Sequence, residues 1–210
     1  MSKLYIGIDI GGTTIVAARF SASELIDRAE VPTGSDRPAL EIMDSLFAAI
    51  EKVLTDEVVG IGIGMPGFMN AETGEILQIN NIKSLNGFSI KPVVEKRFNL
   101  PTFQSNDANC FALGETYYGA GKKYKNLVGI TLGTGLGGGI ILDRKIHTGL
   151  MGGAGELGCI PFHGGIVEDI CSAALFKNKY HSTGIELYKK AKEGDLESLA
   201  VFDELAQNIG

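Results

Sequence analysis

The sequence contains the same short unit twice: an apolar strand, a glycine-rich turn and a second apolar strand. The first unit spans residues 4–20 and turns at Gly11, Gly12, Thr13 and Thr14. The second spans residues 127–142, with its turn at residues 133–139. Both patterns predict hairpins, and glycine allows the backbone of such a turn to come close to a bound group. With one hairpin in each half of its 210 residues, the chain is expected to form two lobes.

The second turn resembles a dinucleotide-binding loop, because Gly133, Gly135 and Gly138 match the G-x-G-x-x-G pattern. A dinucleotide-binding loop opens a helix, whereas this run leads into residues 140–142, which predict a strand. The Walker A pattern of P-loop proteins does not occur. The remaining interpretation is a pair of phosphate-binding hairpin turns, with Asp9 holding water on Mg²⁺. For the first turn, an ordinary hairpin capped by an acid is the alternative.

Composition excludes several classes of protein. Hydrophobic residues make up 44% of the chain and charged residues 21%, as in globular proteins, and no apolar run is long enough to span a membrane. The net charge of -6 argues against a nucleic-acid partner. Three cysteines at irregular spacing predict free thiols, and no signal peptide is recognisable at the N-terminus. We therefore expect a cytoplasmic protein without a membrane or nucleic-acid partner.

Strand and helix patterns alternate along the chain, which indicates the α/β class. Apolar residues at helical spacing predict a helix at residues 39–53, behind Pro38, and residues 168–210 are expected to be helical. Residues 119–125 are a small, basic stretch. They are the expected boundary between an N-terminal lobe, residues 1–118, and a partial C-terminal lobe, residues 119–210. Further strands are predicted at residues 24–31, 58–64 and 101–105, and further helices at residues 90–98 and 107–118.

Three acidic residues are candidates for chemistry. Asp107 stands where a strand gives way to a helix, and there it could accept the proton of a sugar hydroxyl during phosphoryl transfer. The alternative role is a simple helix cap. Glu156 and Glu168 lie among glycines and apolar residues, as do carboxylates that bind a polyol, although each could equally be a solvated acid.

Taken together, these segments resemble the ROK family (repressors, open reading frames and sugar kinases) of the hexokinase and actin superfamily. The resemblance covers nearly the whole chain and is carried by residues 7–13, 62–67, 106–115, 133–139 and 154–158. It implies an actin-like ATPase (ribonuclease H-like) fold, with two lobes of mixed β-sheet and helices and the second lobe incomplete. It also implies ATP-dependent phosphorylation of a hexose, most simply at the 6-hydroxyl. Glucose is the first candidate substrate, and N-acetylmannosamine, allose and fructose are the next.

The resemblance implies a role for each matching residue. Asp107 would be the catalytic base and Asp9 would bind Mg²⁺ through water. The phosphates of ATP would meet Gly11, Gly12, Thr13, Thr14, Gly133, Thr134, Gly135, Gly137 and Gly138. The hexose would meet Gly67, Asn81, Asn106, Asp107, Glu156 and Glu168. The full-length protein is expected to form a homodimer.

The chain departs from the family pattern in two places. Cys159 stands where the family usually has a zinc-binding histidine, and residues 162–168 replace a cysteine-rich segment, so we expect no structural zinc. The family also continues beyond this ending with a strand and a third glycine-rich turn that hold the adenosine. We therefore expect a C-terminally truncated chain whose final helix, from Asp195, packs on the second sheet. Residues 1–210 alone are then expected to bind ATP weakly and to show little or no kinase activity.

Two other functions stay open. One is a sugar-binding relative with little or no catalysis, which the cysteine at position 159 and the expected truncation favour. The other is a sugar-responsive repressor without its DNA-binding segment. Family repressors carry a helix-turn-helix ahead of the first glycine turn. Because only eight residues precede Asp9 here, we expect the repressor to be the weaker hypothesis.

Overall fold

The structure, a computed structural model, describes residues 3–22, 24–70, 73–150 and 152–210. The strands are β1 (Leu4–Ile10), β2 (Thr14–Ser21), β3 (Glu24–Pro32), β4 (Val58–Met65), β5 (Phe68–Met69), β6 (Ile76–Gln78), β7 (Thr102–Asn106), β8 (Leu127–Leu132), β9 (Leu136–Leu142), β10 (Lys145–His147), β11 (Pro161–Phe162) and β12 (Gly165–Ile166). The helices are α1 (Ala39–Val53), α2 (Ile90–Phe98), α3 (Asp107–Tyr117), α4 (Val167–Cys171), α5 (Ala173–Tyr180), α6 (Gly184–Lys192) and α7 (Leu196–Ile209).

The first sheet has the strand order β3-β2-β1-β4-β7. β1 is antiparallel to β2 and parallel to β4, which in turn is parallel to β7. Alternate β1 side chains, such as Ile6 and Ile8, are buried in the main core together with one face of α1. That face repeats at helical spacing, as a helix covering a sheet requires, through Ile42, Met43, Leu46, Ala49, Ile50 and Val53.

The second sheet, β10-β9-β8, is antiparallel, and α3 packs on it. The helix lies very close to β9: a Cβ built on Gly139 would be 2.6 Å from the Cβ of Ala112. Glycine is needed there because any side chain would push the helix away from the strand. The helix that begins at Asp107 thus follows the last strand of the first sheet and packs on the second. The division at residue 118 stays a prediction.

The second glycine turn is shorter than predicted. β9 begins at Leu136, so the turn is confined to residues 133–135, and residues 136–139 belong to the strand. The prediction of a turn over 133–139 is wrong because the glycines of β9 lie in a paired strand that faces a helix. The strands predicted at residues 24–31, 58–64 and 101–105 and the helices predicted at residues 39–53, 90–98 and 107–118 agree with the observed elements to within about two residues. Residues 168–210 are helical as expected but are divided into α4, α5, α6 and α7.

The final helix is present but does not pack as predicted. Phe202 and Leu205 pack with Leu175, Phe176, Leu187 and Val201 in a small core of helices α5, α6 and α7. Leu199 and Ile209, two further apolar residues of this helix, are each 42% exposed. α7 therefore packs on its helical neighbours. The prediction that it packs on the second sheet is wrong. Within the described residues, no helix has both the length and the apolar content needed to span a bilayer.

Candidate active site

The strand register places two predicted acids close together. Asp9 pairs with Gly64 on β4, and Gly64 pairs with Ser105 on β7. Since neighbouring strands are about 4.8 Å apart, Asp9 and Ser105 are separated by roughly 10 Å across the sheet. α3 begins just after β7, and a Cβ on Gly64 would lie only 3.7 Å from the Cα of Asp107. Glycine at position 64 thus allows the start of α3 to come close to β4.

The charges of these acids interact. Partial burial raises the pKa of Asp9, and the charge of Asp107 raises it further. Burial also raises the pKa of Glu156, followed by the charges of Asp107 and Glu168. The Cys159 thiol opposes this effect by donating a hydrogen bond to Oε2 of Glu156 at 3.9 Å. Repulsion between neighbouring carboxylates favours a cation or hydroxyl donors beside them.

A cavity of about 560 Å³ lies beside these acids. It is lined by Asp9, Asp107 and Cys110 and by glycines of β1 and β4. Burial, then the charges of Asp107 and Asp9, raise the pKa of the Cys110 thiol to about 11. The thiol is therefore protonated at neutral pH. The sequence shows Cys110 only as a free cysteine, and its place beside the acids could not be read from spacing.

Asn106, rather than Asp107, caps α3. Its Oδ1 accepts hydrogen bonds from the N–H groups of Ala108 at 2.9 Å and Asn109 at 3.3 Å. Its Nδ2 donates to the carbonyl oxygen of Gly67 at 3.3 Å. Oδ1 of Asp107 accepts from its neighbour Ala108 at 2.8 Å. The alternative in which Asp107 is the helix cap is thereby excluded, because that position belongs to Asn106.

The first glycine turn is held from behind by Thr33. The Thr33 hydroxyl donates to the carbonyl of Gly11 at 2.6 Å, and its N–H donates to the carbonyl of Thr13 at 2.9 Å. Among the described residues, the N–H groups of Gly12 and Thr13 have no acceptor. Asn81 packs beside this turn, since its Nδ2 would be 3.2 Å from a Cβ on Gly12. Sequence reasoning missed Thr33, which is fully buried and belongs to no motif.

The second glycine turn has the same character. The N–H of Gly133 bonds to the carbonyl of Gly135 at 2.9 Å, and within the described chain the N–H groups of Thr134 and Gly135 have no acceptor. Gly137 and Gly138 are placed in β9 instead, where Gly138 approaches the loop that carries Glu156: its Cβ would be 2.5 Å from the carbonyl oxygen of Gly155. Each turn therefore presents two consecutive free amide donors.

Glu168 lies at the second turn as well as near Glu156. Its Oε2 accepts a hydrogen bond from the N–H of Leu136 at 2.8 Å. Asp9 and Asp107 line the cavity, whereas Glu168 lies at the second turn. No group of three or more metal-ligating side chains occurs in the part of the chain that the structure describes. The expectation that structural zinc is absent stays a prediction.

Comparisons with known proteins connect this arrangement to one family. A model of the ROK family matches residues 5–210. A glucokinase from Halalkalibacterium halodurans is 41% identical over 165 residues, which cover 75% of this chain and 50% of that protein. A xylose repressor from Caldicellulosiruptor bescii is 35% identical over 176 residues, which cover 80% of this chain and 43% of the repressor. The chain therefore spans about half the length of these two relatives.

A solved structure supports the same assignment of fold. The ROK family glucokinase from Streptomyces griseus, in complex with glucose and AMPPNP, superimposes with a TM-score of 0.79 and 30% identity. The similarity covers 98% of this chain and 76% of that one. The prediction of an actin-like ATPase fold is confirmed.

Proposed function

We propose that this chain, which belongs to the ROK family, carries the site for ATP-dependent phosphorylation of a hexose. One observation carries the proposal: Asp107 shares a cleft with Asp9, and both lie in a fold that presents two glycine turns with free amide donors. Phosphoryl transfer depends mainly on positioning and on neutralising charge, and this cleft offers groups for both.

The donor groups fit a magnesium-bound triphosphate. Consecutive unpaired N–H groups at Gly12 and Thr13, and again at Thr134 and Gly135, are the kind of donors that hold phosphate oxygens. Burial and then the charge of Asp107 raise the pKa of Asp9, and a nearby cation would offset that repulsion, so this carboxylate would hold water on Mg²⁺. ATP with Mg²⁺, when bound, supplies the γ-phosphoryl group.

The chain's own residues would then prepare the sugar. Asp107 accepts the proton of the attacking hydroxyl, for which the 6-hydroxyl of the hexose is the first candidate. The loop carbonyl of Gly67, held by Asn106, and the carboxylate of Glu156 would bind other hydroxyls. The glucokinase relative and the glucose-bound neighbour favour glucose as the first substrate to test.

Sugar binding without catalysis is the second candidate. It is favoured by the xylose repressor among the relatives and by Cys159, whose thiol engages Glu156 in the cleft. Both candidates predict that the cleft binds a sugar, and only the kinase predicts phosphate transfer.

The test combines a binding and a transfer measurement on the same chain. Calorimetry with glucose, N-acetylmannosamine, allose and fructose reports binding, and transfer from radiolabelled ATP at millimolar concentration detects slow turnover. Because residues 1–210 are expected to bind ATP weakly, we expect at least one hexose to bind and to become labelled only slowly, at millimolar ATP. Binding without label would favour the second candidate, and failure of all four hexoses to bind would contradict the kinase proposal.

A further inference from the structure

Residues of α4 and the start of α5 form hydrogen bonds with the second glycine turn. Ala173 donates its N–H to the carbonyl of Gly133 at 3.0 Å, and the Ser172 hydroxyl donates to the carbonyl of Thr134 at 3.3 Å. Glu168 accepts the N–H of Leu136. Ser172 is only 3% exposed, so these contacts are shielded from water. The turn's backbone position is therefore set by residues 168–173.

The surroundings of Glu168 are shaped to its carboxylate. A Cβ on Gly135 would lie 2.3 Å from Oε2 of Glu168, and a Cβ on Gly158 would lie 3.3 Å from its Cβ. Any other residue at position 135 would displace the carboxylate from the turn. Gly135 therefore makes room for this side chain, whereas a Cβ on Gly158 would first meet the carbonyl oxygen of Leu136 at 2.5 Å.

Glu168 also faces the candidate sugar subsite. A Cβ on Gly158, two residues beyond Glu156, would lie 3.4 Å from Oε2 of Glu168. The charge of Glu168, after burial and Asp107, raises the pKa of Glu156. Oε2 is occupied by the N–H of Leu136, while Oε1 accepts no hydrogen bond among the described residues. A carboxylate has acceptor capacity on both oxygens. Oε1 is therefore available to a hydroxyl group while Oε2 stays on the turn.

We propose that Glu168 is a positioning residue that couples the sugar subsite to the second phosphate turn. This inference rests on the proposed function. A hexose hydroxyl donating to Oε1 would fix the carboxylate, and Oε2 would then hold the N–H of Leu136 and the turn before it in place. Sugar binding would order the amide donors of Thr134 and Gly135, so sugar and nucleotide would strengthen each other's binding.

The first arm of the test needs no ligand. Exchange of the Leu136 amide proton is measured by NMR in the wild-type chain, in Glu168→Gln and in Glu168→Asp. Gln keeps the length and an acceptor oxygen but loses the charge, whereas Asp keeps the charge but is one methylene too short. We expect exchange about tenfold faster in Glu168→Asp and within about twofold of wild type in Glu168→Gln.

The matched control is Asp169→Asn, which removes a charge one residue away. Asp169 is exposed, and its carboxylate accepts the N–H of Ile166 rather than any group of the turn. Exchange at Leu136 should not change in this control. Equal exchange in wild type and Glu168→Asp, measured in chains with wild-type spectra elsewhere, would overturn the role of Glu168 at the turn.

The second arm measures coupling. The dissociation constant of a non-hydrolysable ATP analogue is determined with and without saturating glucose. We expect glucose to tighten analogue binding at least fivefold in the wild type and to have no effect in Glu168→Asp. Equal tightening in both would overturn the coupling. A wild type that binds neither ligand contradicts the proposed function instead, and the exchange arm still decides whether Glu168 holds the turn.

Discussion

At the scale of single residues, Asp9 connects charge to stability. Its pKa is raised in the folded chain by partial burial and by Asp107, so the folded state binds a proton more tightly than the unfolded state does. The stability that this contributes is present below the ordinary aspartate pKa and is lost as pH rises through the raised value. At neutral pH the ionised Asp9 therefore destabilises the fold.

Asp9→Asn should raise the melting temperature at pH 7, because it removes the repelling charge. Asp9 is exposed to the cleft, so screening limits the gain to about 1 kcal/mol or less, which corresponds to ~2–4 °C. The gain should vanish when calorimetric scans are repeated below about pH 4. Asp203→Asn, at an exposed site on α7, is the control. A melting temperature below that of wild type at pH 7 would contradict this account of Asp9.

At the scale of elements, the contact between α3 and β9 determines where Asp107 sits. Gly139→Ala introduces a methyl group 2.6 Å from the Cβ of Ala112, and we expect it to cost about 1–3 kcal/mol in the free energy of unfolding. In Gly114→Ala, on α3, the new methyl group meets no atom within 4 Å, and the substitution should stabilise the chain by about 0.5–1 kcal/mol. Urea denaturation measures both. Equal effects would show that the close approach is unimportant.

The same elements show what could be predicted from sequence. Long periodic segments such as residues 39–53 were predicted correctly, because one buried face repeats through them. The two- and three-residue strands, such as Phe68–Met69 and Lys145–His147, are too short to carry a period. The glycines of β9 were placed in the turn because glycine is rare in strands, and only the packing against α3 explains them.

The candidate site divides in a similar way. From the sequence, Asp9 was expected just before the first glycine turn and Asp107 where a strand gives way to a helix. The strand register is what brings both to one cavity. The residues that hold the two turns, Thr33 and Ser172, belong to no motif and are brought there by the fold. Asn81 was expected at the sugar and lies beside the first turn, within reach of Gly12. Its predicted contact with a hexose stays a prediction.

At the scale of the whole molecule, β8 is the exposed edge of the second sheet. Among the described residues it pairs only with β9, and Val128, Ile130 and Leu132 on its outer side are 54%, 44% and 51% exposed. Apolar residues on an unpaired edge favour association with another strand. We expect the chain to associate with a second copy at micromolar concentrations, as measured by sedimentation velocity.

Ile130→Lys should weaken this association by at least tenfold, because a charge on an edge strand opposes pairing. The control is Leu40→Lys, at a residue of α1 that is 72% exposed outside this edge. It should leave the association constant unchanged. A wild-type chain that stays monomeric at 100 times the micromolar concentration at which association is expected would contradict the expectation.

Asp107 is proposed to act as the base in phosphoryl transfer to a hexose. The most direct test compares wild type with Asp107→Asn, which keeps the side-chain size but cannot accept the proton. We expect transfer from radiolabelled ATP to fall about 10²-fold or more, while the dissociation constant for the hexose, from calorimetry, stays within about threefold. Transfer at the wild-type rate in Asp107→Asn would contradict the claim.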